Sequence, residues 1–184
     1  YTHCVTALRY AFRYGVHGLP LIGTGDWNDG MNRVGERGQG ESVWLGWFLH
    51  RTLTEFLPIV RSRGDSVFEA EALAQQEALL AALERDGWDG HWYRRGYFDD
   101  GTPLGSATRP ECRIDGIAQT WAALSEVADP RRVDEALRHV EEHLISPHDG
   151  VARLFTPPFE TSEPDPGYIR SYPPGVRENG GQYS

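Results

Sequence analysis

With 184 residues, 39% of them hydrophobic and 24% charged, the chain has the composition of one globular domain with a sizeable core and not of a disordered segment. Its formal net charge of −9 argues against nucleic acid or an anionic membrane surface as partner, because either would repel the molecule's field. No apolar run approaches the ~18 residues of a membrane span, and no basic segment followed by an apolar core opens the chain, so a soluble polypeptide is expected.

Residues 2 to 14 place Val5, Leu8 and Phe12 on one helical face and run to Gly15, which predicts a short amphipathic helix with a glycine cap. The stretch GLPLIGTG then leads to Gly23–Asn32, GTGDWNDGMN, where Asp26 and Asp29 flank Trp27 and Asn28 between glycines. Such a loop offers a proton donor, a flat apolar face for a pyranose ring and hydrogen-bonding groups for hydroxyls. The same residues also suit an ordinary tight turn. A calcium loop fails on spacing: counted from Asp26, Met31 stands where a glycine is required and Arg37 where a glutamate is. No metal is expected there.

From about Gly40 to Leu57 the helical period returns through Leu45, Leu49, Leu53 and Phe56, with Pro58 ending or kinking the helix and Trp44 and Trp47 widening its buried face. Ser66 to Arg85 reads as a helix with a Ser66/Glu69 capping box, an apolar stripe of Phe68, Ala72, Leu79 and Leu83, and Gly87 as its stop. The aromatic stretch Trp88 to Ser106, with Asp100-Gly101 as a turn, predicts short strands or a hairpin.

Residues 114 to 128 repeat the helical period, and Asp129-Pro130 caps another helix whose face carries Val133, Leu137, Val140 and Leu144, giving an antiparallel pair. His139 and His143 stand one turn apart on it, but Val140, Glu141 and Glu142 between them do not make the zincin pattern, and a solvated pair is expected. After the strand-like VARLF the chain is proline-rich. In GVRENGGQYS, Arg177, Glu178 and the backbone amides of Gly180 and Gly181 could serve hydroxyls or an oxyanion, or form a polar turn. Cys4 and Cys112 lie far apart and are expected to be free, buried thiols of a reducing compartment, with a bridge as the alternative.

Helices paired through turns and interleaved with aromatic loops point to an all-α layered packing such as an α/α toroid, with short β-hairpins in its loops. A closed ring of about twelve helices needs well over ~300 residues, so a partial barrel is expected, in a chain that looks truncated at both ends. An open half-barrel would expose apolar helix faces and invite self-association.

GLPLIGTGDWNDGMN, GESVWLGWFL, CRIDGIAQTWAALS and PDPGYIRSYPPGVRENGGQYS together resemble the C-terminal phosphorylase modules of bacterial cyclic β-1,2-glucan synthases, within glycoside hydrolase family 94 beside the cellobiose and chitobiose phosphorylases. The resemblance implies an (α/α)6 barrel and inverting phosphorolysis of a β-glucoside, with no cofactor and with inorganic phosphate as co-substrate. It implies Asp29 as general acid, Trp27 lining the sugar site, and Arg177 and Glu178 near substrate. It also implies a larger parent polypeptide, on the cytoplasmic side of the bacterial inner membrane, and further phosphate-site residues that this chain lacks, so that the chain alone is expected to be inactive. Phosphate brings its own nucleophilic oxygen, whereas an inverting hydrolase, the alternative, needs a second carboxylate as base, for which Asp115 or Glu178 is available. A non-catalytic glycan-binding or chain-measuring module is the third alternative.

Overall fold

The computed structural model describes residues 1–182. Five α-helices carry the architecture among them: α1 (Thr2–Ala11), α2 (Val43–Ser62), α3 (Ser66–Ala82), α4 (Gly116–Ser125) and α5 (Pro130–Leu144). Helix α2 is the centre of the layer, packing on α3 along one side and on α4 along the other, and α4 in turn packs on α5. Short antiparallel strands occupy the loops: β1 (Glu41–Ser42), β2 (Gly96–Tyr97) and β3 (Pro103–Leu104) form one sheet in that order. Strand β4 (Ile114–Asp115) pairs with β7 (Phe155–Thr156), and β5 (Ile145–Ser146) pairs with β6 (Val151–Ala152). The chain is thus mostly helical with small sheets, and the hairpin expected around Asp100-Gly101 is β2–β3.

Most predicted helices form, with boundaries moved by local chemistry. Helix α1 stops at Ala11 and is capped at Phe12, short of Gly15; Val5 and Leu8 are buried and Phe12 packs partly against the core. Helix α2 does not end at Pro58. The proline removes only the bond to the Thr54 carbonyl, while Leu57 and Val60 on either side are buried, and that packing carries the helix on to Ser62. Both Trp44 and Trp47 are buried, as the broad-face expectation required.

The capping box is displaced by one residue. Asp65, not Ser66, caps α3 by accepting the Phe68 amide at 3.0 Å, and it also accepts the Tyr1 hydroxyl at 2.7 Å. Glu69 instead reaches Arg61 at 2.6 Å. Helix α3 then passes into a wider π-type turn, Leu83–Gly87, which buries Leu83. On α5, Asp129 accepts the Arg131 amide as expected, and Leu144 is buried with Val133 and Val140 packed against the core, while Ala136 is buried and Leu137 is exposed.

Two hydrophobic cores result. The larger lies between the helices, where Trp47, Leu53, Phe68, Leu79 and Tyr93 are almost wholly inaccessible. The smaller lies beneath the loops and comprises Ile22, Met31, Val34, Phe98, Leu104, Cys112, Phe155, Phe159 and Ile169. Burying a side chain of this size is worth ~1.5–3 kcal/mol, so Met31 and Ile169 each tie an otherwise irregular loop to the body of the protein. Both cysteines are free; Cys112 is buried as expected, whereas Cys4 is exposed. No helix among the described residues is long and apolar enough to cross a membrane.

Candidate functional site

The DWND segment divides into a buried half and an exposed half. The Asp26 carboxylate accepts hydrogen bonds from Arg95 Nη2 at 2.6 Å, Trp44 Nε1 at 2.7 Å, Ser42 Oγ at 3.0 Å and the Asn28 amide at 3.1 Å. Its side chain is 0% exposed. Four donors on a fully enclosed carboxylate leave it no surface for a sugar hydroxyl, so the expected substrate-binding role gives way to a structural one: Asp26 fixes the loop to β1, α2 and the aromatic segment.

Arg95 is the counter-charge at the centre of this network. It is wholly buried, donates to Ser42 Oγ through Nη1 at 3.2 Å, and holds its Nε 3.3 Å from Asp115 Oδ2. Burial pushes the Asp26 carboxyl upward, but the charge and hydrogen bond of Arg95, with the Asn28 amide and the Trp44 indole, outweigh it and hold the group below its ordinary value. Asp115 has the poorer contact with the shared guanidinium, and burial pushes it up to about 6 against the pull of Arg95 and the Ile117 amide. The base role considered for Asp115 is therefore closed by geometry: its carboxylate caps α4 through the Ile117 amide at 2.9 Å and lies inside the protein.

Asn28 is likewise interior, 2% exposed, and its Oδ1 accepts the Gly30 amide at 3.1 Å, which starts a single 3-10 turn over Asp29–Met31. It shapes the loop and is not presented to a ligand, contrary to its expected role. Trp27 is half-buried against the helical core. Asp29, at the head of the turn, is exposed. The segment thus spends its first carboxylate and its amide on rigidity and presents the second carboxylate to solvent.

What faces that turn is the proline-rich segment near residue 170. A second 3-10 turn, Tyr168–Ser171, packs directly on Asp29–Met31. The approach needs glycine twice. A Cβ on Gly30 would stand 2.8 Å from Cβ of Ile169, and one on Gly167, whose φ is +119°, would stand 2.2 Å from Asn32 Oδ1. Asn32 Oδ1 also accepts the Tyr168 amide at 3.0 Å, and the Arg33 amide donates to the Pro166 carbonyl at 3.2 Å.

Tyr168, 47% exposed, lies within electrostatic reach of Asp29, Arg177 and Glu178. Partial burial and then the nearby Asp29 carboxylate, with Tyr172 and Glu178, raise the phenol above its ordinary value, and Arg177 opposes them. Tyr172 meets Tyr168 edge-on at 6.4 Å, and the Arg177 guanidinium lies 4.7 Å above the Tyr172 ring. Arg177 Nε is 3.4 Å from Glu178 Oε2, a charge contact without hydrogen-bond geometry. Beside Tyr168 a polar cleft of about 250 Å³ is lined by Asn32, Arg33, Asp165, Arg170 and Ser171. An acid, two aromatic faces, a cation and a second carboxylate are brought to one side of the protein, a set suited to holding and protonating a sugar.

The ENGG loop is built differently from its expected use. Asn179 is wholly buried and clamps the loop, accepting the Phe159 amide at 2.8 Å and donating to the carbonyls of Phe159 at 2.9 Å and Tyr172 at 2.8 Å. The amides of Gly180 and Gly181 are already donated to the Glu178 and Arg177 carbonyls, each at 3.0 Å. They close the turn and are not free for phosphate, which corrects the oxyanion role expected of them. Sequence reasoning missed Arg95, Trp44 and Ser42, which position the acid loop, and Tyr168 and Tyr172, which line its front. Arg95 does leave a signal: it is in phase with Tyr93 and Tyr97, at the two-residue period that puts all three on one face of an extended segment.

Cyclic beta-(1,2)-glucan synthase NdvB of Rhizobium meliloti is 59% identical over 185 aligned positions, covering 100% of this chain and 6% of that protein. Solabiose phosphorylase of Paenibacillus borealis is 36% identical, covering 98% of this chain and 24% of its own length. N,N'-diacetylchitobiose phosphorylase of Vibrio furnissii is 32% identical, covering 100% and 23%. The chain thus spans a quarter or less of each of these relatives. A sequence model of the Glycosyl hydrolase 94 superfamily, catalytic domain, matches residues 1–184, and the chain belongs to that family.

Proposed function

We propose that this chain is the acid-bearing part of a catalytic domain that cleaves β-glucosidic bonds, in β-1,2-glucan, with inorganic phosphate. Asp29 donates its proton to the glycosidic oxygen as the C1–O bond breaks. A phosphate oxygen attacks C1 from the opposite face, and α-glucose 1-phosphate leaves with inversion. Trp27, Tyr168 and Tyr172 offer apolar faces to the sugar, and Arg177 and Glu178 offer polar contacts. The observation that carries this assignment is the division of labour in one loop: Asp26 and Asn28 are sealed inside while Asp29 is exposed on the turn that packs against Tyr168–Ser171.

The relatives' names supply the substrate class, since two of them are phosphorylases and one a cyclic glucan synthase. The paired packing of α2 with α3 and of α4 with α5 is what one sector of an (α/α)6 toroid requires. The rest of the ring would come from a larger polypeptide, on the cytoplasmic face of the inner membrane. The exposed Phe48, Ile59 and Leu124 on α2 and α4 are sites where that remainder, or a second copy, would pack. The chain by itself would be inactive.

The test is Asp29→Asn in the parent polypeptide, supplied with β-1,2-glucan and phosphate. Loss of general acid catalysis lowers sugar-phosphate release by about 10²–10⁴-fold. Undiminished release by Asp29→Asn refutes the assignment, and free reducing sugar in place of sugar phosphate shows hydrolysis instead.

A further inference from the structure

Where α5 faces Trp92, three side chains converge without a role in the proposed reaction. His139 and His143, one helical turn apart, have rings parallel to within 2° and centroids 5.5 Å apart. Glu142 Oε2 lies 3.6 Å from His139 Nδ1. One donor atom from each of the three falls within 4.8 Å of the others. Tetrahedral coordination with bonds of ~2.0 Å places ligand atoms about 3.3 Å apart, so an ion would draw these donors inward from their present spread.

Two further observations separate this cluster from an ordinary solvated histidine pair. His139 Nδ1 is buried and has no hydrogen-bond partner among the described residues. Both imidazoles also rest against one rigid wall. The ring of Trp92 meets His139 at 5.0 Å and His143 at 5.8 Å, and its indole N–H is itself fixed by the carbonyls of Gly105 and Arg113 at 3.1 and 2.9 Å. Two imidazoles and one carboxylate select a borderline transition-metal dication over the hard calcium and magnesium ions, and the fourth position is left to water or an incoming ligand.

We propose that His139, Glu142 and His143 form a binding site for a transition-metal dication of the Zn²⁺ class. A second triad, His91 with Glu135 and His139, shares one of these ligands and so supplies the discriminating control. Titration of the full chain, freed of metal with a chelator, with Zn²⁺ in a calorimeter is expected to give one saturable site. His143→Ala and Glu142→Gln each weaken it by about tenfold or more, a loss that even outer-shell changes produce at such sites, while His91→Ala leaves it unchanged. Circular dichroism of each variant checks that α5 stays helical, and Co²⁺ absorption reports tetrahedral coordination independently of heat. Absence of a saturable site in the unaltered chain overturns the proposal, as does loss of binding in His91→Ala with retention in His143→Ala.

Discussion

Replacing Arg95 by methionine tests the network that holds the acid loop. The substitution keeps most of the apolar stem but removes the cation that lies 2.6 Å from Asp26 and 3.3 Å from Asp115, both of which are enclosed. Breaking a buried pair by deleting one partner costs about 3–5 kcal/mol, because the remaining charge has neither counter-ion nor water. That is ~10²–10⁴ in the folded-to-unfolded ratio, a large share of the ~5–15 kcal/mol by which a domain is stable. The sign with pH follows. Without Arg95 both carboxyls have folded pKa values above their unfolded ones, so the folded state takes up protons more readily and the deficit is larger at pH 8 than at pH 5. Urea unfolding at the two pH values measures it, and Asp26→Asn added to Arg95→Met recovers part of the loss by removing one stranded charge. An Arg95→Met protein within ~0.5 kcal/mol of the parent, with strictly additive behaviour in the double variant, refutes the account.

In the unaltered protein, Asp115, pushed up to about 6 by burial, is protonated more readily folded than unfolded. Its contribution is fully present below its unfolded pKa and is lost as pH rises through about 6, which urea midpoints taken from pH 4 to pH 7 will show as a decline that Asp115→Asn flattens. Gly30→Ala drives a methyl to 2.8 Å from Cβ of Ile169, and overpacking of this kind costs ~1–3 kcal/mol. The parent enzyme should lose activity with it, and Ile169→Ala in the same chain should restore part of it. Asn179→Ala deletes one accepted and two donated hydrogen bonds inside the ENGG loop, with an expected loss of ~2–4 kcal/mol by thermal unfolding.

Periodicity within one element was readable from sequence; partnership between distant ones was not. The helices α2 to α5 and the turn at Asp100-Gly101 follow from local patterns, and the errors lie at helix ends, such as Asp65 capping α3 in place of Ser66 and α2 running past Pro58 to Ser62. DWND was legible as a loop carrying two carboxylates around an indole and an amide, but those two carboxylates have opposite fates, decided by an arginine 69 positions away. Nothing local distinguishes Asp26 from Asp29. Similarly, Gly180 and Gly181 offer amides on paper, and only the closed turn shows those donors to be occupied.

The bond between Asn32 and the Tyr168 amide joins positions 136 apart, whereas α2 and α3, or α4 and α5, are separated by only a few residues. Short loops close early and long ones late, since the entropy of bringing distant segments together must be met before the contact rewards it. The helical scaffold is therefore expected to mature first, and the Asp29–Met31 turn to meet Tyr168–Ser171 only late in assembly. A nascent or partly unravelled chain would keep its helices while the Asp29 turn still lacked the segment that packs on it.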